Sequence, residues 1–172
     1  MSEVVVVPQQ VRPRFAVQAA LLTVCMVAGW AWLAERYRLG IDPQISRCLP
    51  DTRVVLIDQD AALPARGGLV AFRATNLAPL FPDGTILVKV LAGLPGDRIA
   101  VTEEAVAVNR EAVARGLALA ERLGQRPADF VRTVTVSPDH YFVIGRSEDS
   151  FDSRYYGFVA GEHIIGPAWR LF

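Results

Sequence analysis

Lysine is all but missing from this chain of 172 residues. Lys and Arg together number 18, and Lys89, in "TILVKVLAGLPGDRI", is the only one that is not Arg. Arginine keeps its proton under protein conditions, whereas a desolvated lysine can lose it, so one retained ammonium points either to chemistry or to an Arg-biased composition. Net charge is missing too. Eighteen acids balance 18 bases with no basic block, which argues against nucleic acid as a partner. Histidine is limited to His140 and His163, too isolated to suggest a metal site, and both read as structural. Cysteine is limited to Cys25 and Cys48. The first lies inside an apolar run and the second outside it, so they do not pair, and Cys48 is a lone thiol that is either incidental or reactive. Repeats and low-complexity segments are absent.

Apolar residues are abundant: they make up 52% of the chain, and the mean hydropathy is +0.28. Their main source is "FAVQAALLTVCMVAGWAWLA" (15–34), which carries no charge and reaches the span of a bilayer core, ~30 Å at 1.5 Å per residue. Trp30 and Trp32 sit where interfacial aromatics belong. Arg12 and Arg14 on one side nearly balance Arg36 and Arg38 on the other, so loop charge does not settle the orientation. A cleaved signal peptide is the competing reading, but the run is longer than the usual apolar region and "AWLAERY" is a weak cleavage site. We therefore expect a tail over 1–14, a retained single transmembrane anchor over 15–34, and a folded domain over 39–172.

The domain reads as mainly β. Short apolar, β-branched runs at 53–58, 69–74, 85–93, 98–102, 106–109, 132–136, 141–145 and the C-terminal "HIIGPAWRLF" are separated by turn formers such as "PARGG", "FPDG", "LPGD" and "SPDH". "NREAVARGLALAERLG" has helical spacing and ends at Gly124, which predicts one helix within 112–123.

Three segments differ from ordinary sheet filler: "QISRCLPDT", "VKVLAGLPGD" and "GRSEDSFDSRYYGFV". Alternation puts Lys89 and Leu91 on one face of a strand and Val88 and Val90 on the other. A buried Lys89 would be a candidate general base, while a strand-edge lysine with its stem packed and its head in water is the plainer reading. Cys48 is either the nucleophile such a base serves or a small buried hydrophobe. "SEDSFDSR" on composition alone is a polar loop, with Asp152 and Arg154 a surface ion pair worth ~0–1 kcal/mol.

Taken together these segments resemble the type I signal peptidases, specifically the small TraF-type peptidases of bacterial conjugation. That family carries a lysine followed four residues later by Gly and then x-Pro-Gly-Asp, matched by Lys89, Gly93, Pro95, Gly96 and Asp97. Its downstream box is matched by Gly145, Ser150, Asp152, Ser153, Arg154 and Gly157. "RGGLVAF" (66–72) resembles the family's Arg-Gly-Asp strand, with Gly68 where Asp is usual.

The departure is at the nucleophile. Where the TraF-type branch has Ser-x-Pro, this chain has Cys48-Leu49-Pro50. The resemblance implies Cys48 as nucleophile, Lys89 as general base, Ser46 with the Cys48 amide as oxyanion donors, Ser150 as the hydroxyl orienting the amine, and Asp152 with Arg154 as a structural ion pair. A rival assignment makes Ser46 the nucleophile. The implied protein has a β-rich signal-peptidase fold with no metal, nucleotide or other cofactor, and faces the periplasm from a bacterial inner membrane. Its implied substrate is a pilin precursor, cut and in some cases cyclised within a type IV secretion system. The alternatives are a general signal peptidase acting on exported preproteins and a catalytically inert secretion-system scaffold.

Overall fold

The computed structural model describes residues 13–41, 49 and 52–171, so Ser46, Cys48 and most of the expected tail lie outside the described residues. The apolar run forms one helix, α1 (Pro13–Arg36). Its span Arg14–Arg36 is long and apolar enough to cross a membrane. Trp30 and Trp32 are exposed near its end, and the Arg36 guanidinium lies 5.7 Å from the centre of the Trp32 ring. Residues from Tyr37 onward make a second compact unit.

That unit is β-rich, as its alternating runs predict. Its strands are β1 (Tyr37–Ile41), β2 (Val54–Asp58), β3 (Leu69–Arg73), β4 (Ile86–Gly93), β5 (Arg98–Val101), β6 (Ala105–Val108), β7 (Glu111–Arg115), β8 (Arg132–Thr135), β9 (His140–Ile144), β10 (Val159–Ala160) and β11 (Ile164–Arg170). They form a seven-stranded sheet in the order β1-β2-β11-β3-β4-β9-β10 and a four-stranded sheet in the order β7-β6-β5-β8. The ladders are antiparallel throughout. A single helical turn, α2 (Ser153–Tyr156), follows β9.

Every expected strand is present to within a residue or two. β1 and the two-residue β10 were not anticipated, although Tyr37, Leu39 and Ile41 alternate as a strand requires.

The helix expected within 112–123 is not formed. Asn109 and Arg110 take positive φ, 51° and 79°, and close a two-residue turn that pairs Val108 with Glu111 and starts β7. Beyond β7 the Gly116 N–H donates to Glu104 O at 2.8 Å, an approach so close that a Cβ on Gly116 would lie 2.3 Å from Glu103 O. Only Glu121–Leu123 retain a helical turn, a 3-10 one, ending at Gly124 with φ 71°. The apolar spacing still serves burial: Leu117 and Ala120 enter the core as loop residues.

β4 and β9 lie between two apolar clusters. Val90, Ala92, Phe142 and Ile144 pack against Ile99 and Val106 of the small sheet and Val136 just after β8, while Leu87, Leu91 and Val143 pack with Val70 and Phe72 on the other side. β4 is thus buried on both sides over its second half, and its lysine is held by the same packing.

Candidate active site

Lys89 sits in the middle of β4, opposite Val70 of β3, and is only 2% exposed. The wet-headed, strand-edge lysine is therefore not what forms. Its Nζ donates to Ser150 Oγ at 2.8 Å, a buried contact between residues 61 apart in sequence. Among the described residues no carboxylate makes a salt bridge to Lys89.

Ser150 is held in turn by the segment that follows it. The Asp152 carboxylate caps the first turn of α2, accepting from the Arg154 N–H at 3.1 Å, and takes the Gly145 N–H at 2.8 Å on its other oxygen. Arg154 meets that carboxylate through Nε and Nη2, both at 2.9 Å. Its remaining donors reach the carbonyls of Ser150 (3.2 Å), Ser147 (3.3 Å), Arg115 (2.7 Å) and Gly116 (3.0 Å). The surface ion pair that composition suggests is instead a fully buried one, with side-chain exposures of 1% for Arg154 and 0% for Asp152. A guanidinium buried this completely is tolerable because nearly every donor has an oxygen. The fork also ties the β7 end, the 147–150 turn and α2 into one body. Ser153 Oγ adds a bond from the Val143 N–H at 3.0 Å.

Arg66 and Asp97, 31 residues apart, meet through Nη1 and Oδ2 at 2.7 Å and through Nη2 and Oδ1 at 3.0 Å. The Asp97 carboxyl is lowered to about 2, first by the Arg66 hydrogen bond, with the Leu94 N–H and Asn109 amide adding to it against the cost of burial. Neither Arg66 nor Asp97 stood among the expected site residues, although both lie inside the boxes that carried the resemblance. Gly68, where an Asp is usual, has its own cause: a Cβ there would lie 2.6 Å from Pro64 Cβ.

Beside the lysine runs a groove of about 620 Å³, mainly apolar, whose walls include Leu49, Val55, Ile57, Phe81, Val88 and Lys89. β9 pairs with β4 only from Val90 onward, so the stretch Ile86–Lys89 is laddered to β3 on one side and has no β9 partner on the other. Ser46 and Cys48 lie outside the described residues, but Leu49, the residue after Cys48, is buried, packs into the core and lines this groove. The Thr52 N–H closes a turn onto Leu49 O at 3.0 Å.

Residues 14–172 match the family described as "Signal peptidase, peptidase S26", and the chain belongs to that family. It is 34% identical over 111 residues to a probable signal peptidase I-2 of a Synechocystis species, a match covering 63% of this chain and 48% of that protein. It is 32% identical over 109 residues to a signal peptidase I of Leptolyngbya laminosa, covering 61% and 51% of the two chains. The chain thus spans about half the length of these curated relatives. Among solved structures, a signal peptidase I from Enterococcus faecalis is 26% identical, with a TM-score of 0.39, covering 62% of this chain and 97% of that one.

Proposed function

We propose that this protein is a membrane-anchored endopeptidase in which Cys48 and Lys89 form a catalytic dyad, and that it matures the precursor of a conjugative pilin at the periplasmic face of a bacterial inner membrane. The observation that carries the chemistry is the buried Lys89–Ser150 contact at 2.8 Å, at the edge of a groove that Leu49 also lines. An amine held by a hydroxyl in an apolar setting, without a carboxylate salt bridge among the described residues, suits a proton acceptor better than a structural cation.

In the proposed reaction the Cys48 thiol gives its proton to Lys89 Nζ, and Sγ attacks the scissile carbonyl. The developing oxyanion is held by the Cys48 amide and the Ser46 hydroxyl. Collapse of the tetrahedral intermediate breaks the C–N bond, and Lys89 returns its proton to the leaving amine. The acyl group is left on sulfur as a thioester. Water then releases a cut product, or the substrate's own amine attacks, forming an amide bond and returning a proton to Sγ. Ser150 orients the amine, and Asp152 with Arg154 fixes the turn that carries Ser150. An extended peptide fits the groove because β4 offers backbone groups over Ile86–Lys89 that β9 does not use.

The second reading is a general signal peptidase acting on exported preproteins, favoured by the names of both curated relatives. Both readings share one test. A pilin precursor and a conventional preprotein are co-expressed with wild type, Cys48→Ala, Cys48→Ser and Lys89→Ala, and the products are weighed. Pilin processing that disappears in both alanine variants supports the dyad, and a product lacking the mass of one water indicates cyclisation. Processing of the preprotein alone supports the second reading, and processing that survives both alanine variants contradicts the dyad.

A further inference from the structure

A β-bulge sits on β4 just past the lysine. The β4–β9 register runs from Leu91 opposite Val143 to Gly93 opposite Phe142, so Ala92 is the extra residue. Bulges bend a strand and leave ladder groups unpaired, and Ala92 is buried, so its carbonyl needs a donor. The donor is Arg66, whose Nη1 lies 2.6 Å from Ala92 O. Its two successors grip the preceding residue: the Gly67 N–H donates to Leu91 O at 2.8 Å, and Gly68 O accepts the Leu91 N–H at 2.9 Å. Gly67 does this at φ +88°, a conformation that L side chains rarely adopt. The Arg66-Gly67-Gly68 tripeptide therefore closes on Leu91 and Ala92, beyond Val90 on the C-terminal side of Lys89 in the same strand.

The grip is itself anchored. Asp97 holds the guanidinium and also accepts from the Leu94 N–H at 2.5 Å and Asn109 Nδ2 at 2.7 Å. Leu94 follows β4 and Asn109 closes the β6–β7 turn, so the small sheet braces the bulge through one carboxylate.

We propose that Arg66 is a positioning residue for Lys89: by pinning the bulge at Ala92, it fixes the course along which β4 delivers the amine to Ser150. A strand's side chains change face with each one-residue slip, so a bulge free to migrate along β4 would turn Lys89 away from its hydroxyl. The importance of this to catalysis rests on reading Lys89 as the base, whereas the geometric claim stands apart from it.

The scarcity of lysine supplies the test. Full-length protein in detergent, grown on lysine labelled with ¹³C at Cε, gives one lysine side-chain NMR signal, that of Lys89. It is recorded for wild type, Ser150→Ala, Arg66→Met and the Arg66→Met/Ser150→Ala double variant. The expected result is that Arg66→Met moves the signal toward its Ser150→Ala position and that the double variant moves it no further than Ser150→Ala alone, the non-additivity of residues acting through one contact. An Arg66 that is merely structural would lower the melting temperature and leave the signal in place, which overturns the proposal, as does a signal that Ser150→Ala fails to move. Should Arg66→Met not fold, Asp97→Asn takes its place: displacement of the signal supports the proposal, and an unmoved signal overturns it. No substrate enters the measurement, so a coupled displacement in a protein that processes nothing leaves the positioning intact and counts against the peptidase reading alone.

Discussion

Lys89 Nζ and Ser150 Oγ meet at 2.8 Å inside a protein that uses arginine for every other cationic task. Arginine at position 89 would keep charge and donors but could not act as a proton acceptor. Lys89→Arg should therefore remove processing as fully as Lys89→Ala, a loss of at least ~10²-fold in the rate of precursor conversion. Ser150→Ala keeps the amine and loses its orientation, so turnover should fall ~10-fold or more with KM near the wild-type value. Asp97 gives a prediction in pH. Its carboxyl sits at about 2 in the folded chain against 3.8 as a free side chain, so its contribution to stability is complete above pH ~4 and is lost as pH falls toward ~2. After allowance for solvent around Arg66, whose side chain is 38% exposed, the effect is on the order of 1 kcal/mol. Urea titrations should show wild type and Asp97→Asn separated at pH 5 and converging by pH 2, and a gap independent of pH would contradict the assignment.

At the scale of elements, β4 joins both family boxes, with Lys89 reaching the Ser150 turn and Ala92 held by Arg66. The strands were legible in the sequence because each core face alternates, as Val70/Phe72 and Leu87/Leu91 do in a single cluster. The helix expected within 112–123 was misread because its apolar spacing is real while its backbone partners are remote. The Asn109–Arg110 turn makes β7 an edge strand, and Arg154, 39 residues further on, takes the carbonyl of Arg115. Of the site, Lys89 and Ser150 could be paired only through motif resemblance, since no local pattern announces a contact across 61 residues. Arg66 was passed over because its partner Ala92 is a backbone carbonyl freed by a bulge, which composition does not record. Gly68 yields a prediction at this scale. Gly68→Ala drives a Cβ against Pro64 and should cost ~1–3 kcal/mol in denaturant unfolding. Adding Pro64→Gly should recover part of that loss, despite the ~0.5–1 kcal/mol a new glycine costs. Strict additivity of the two changes would contradict the contact.

For the whole molecule, a helix able to cross a membrane and a β-rich domain of the signal peptidase family share one chain. The proposed topology predicts a labelling pattern. With Cys25→Ser and Cys48→Ala removing the native thiols, Glu104→Cys in the exposed turn between β5 and β6 should react with a membrane-impermeant maleimide in intact spheroplasts, and reaction only after lysis would reverse the orientation. The dyad has a more direct measurement. Full-length enzyme is mixed with its precursor, quenched in acid within a turnover, and weighed intact. Wild type should carry an added acyl mass that hydroxylamine removes, that peptide mapping assigns to Cys48, and that is absent from Cys48→Ala and Lys89→Ala. An adduct on Ser46, or continued processing by Lys89→Ala, would contradict the dyad.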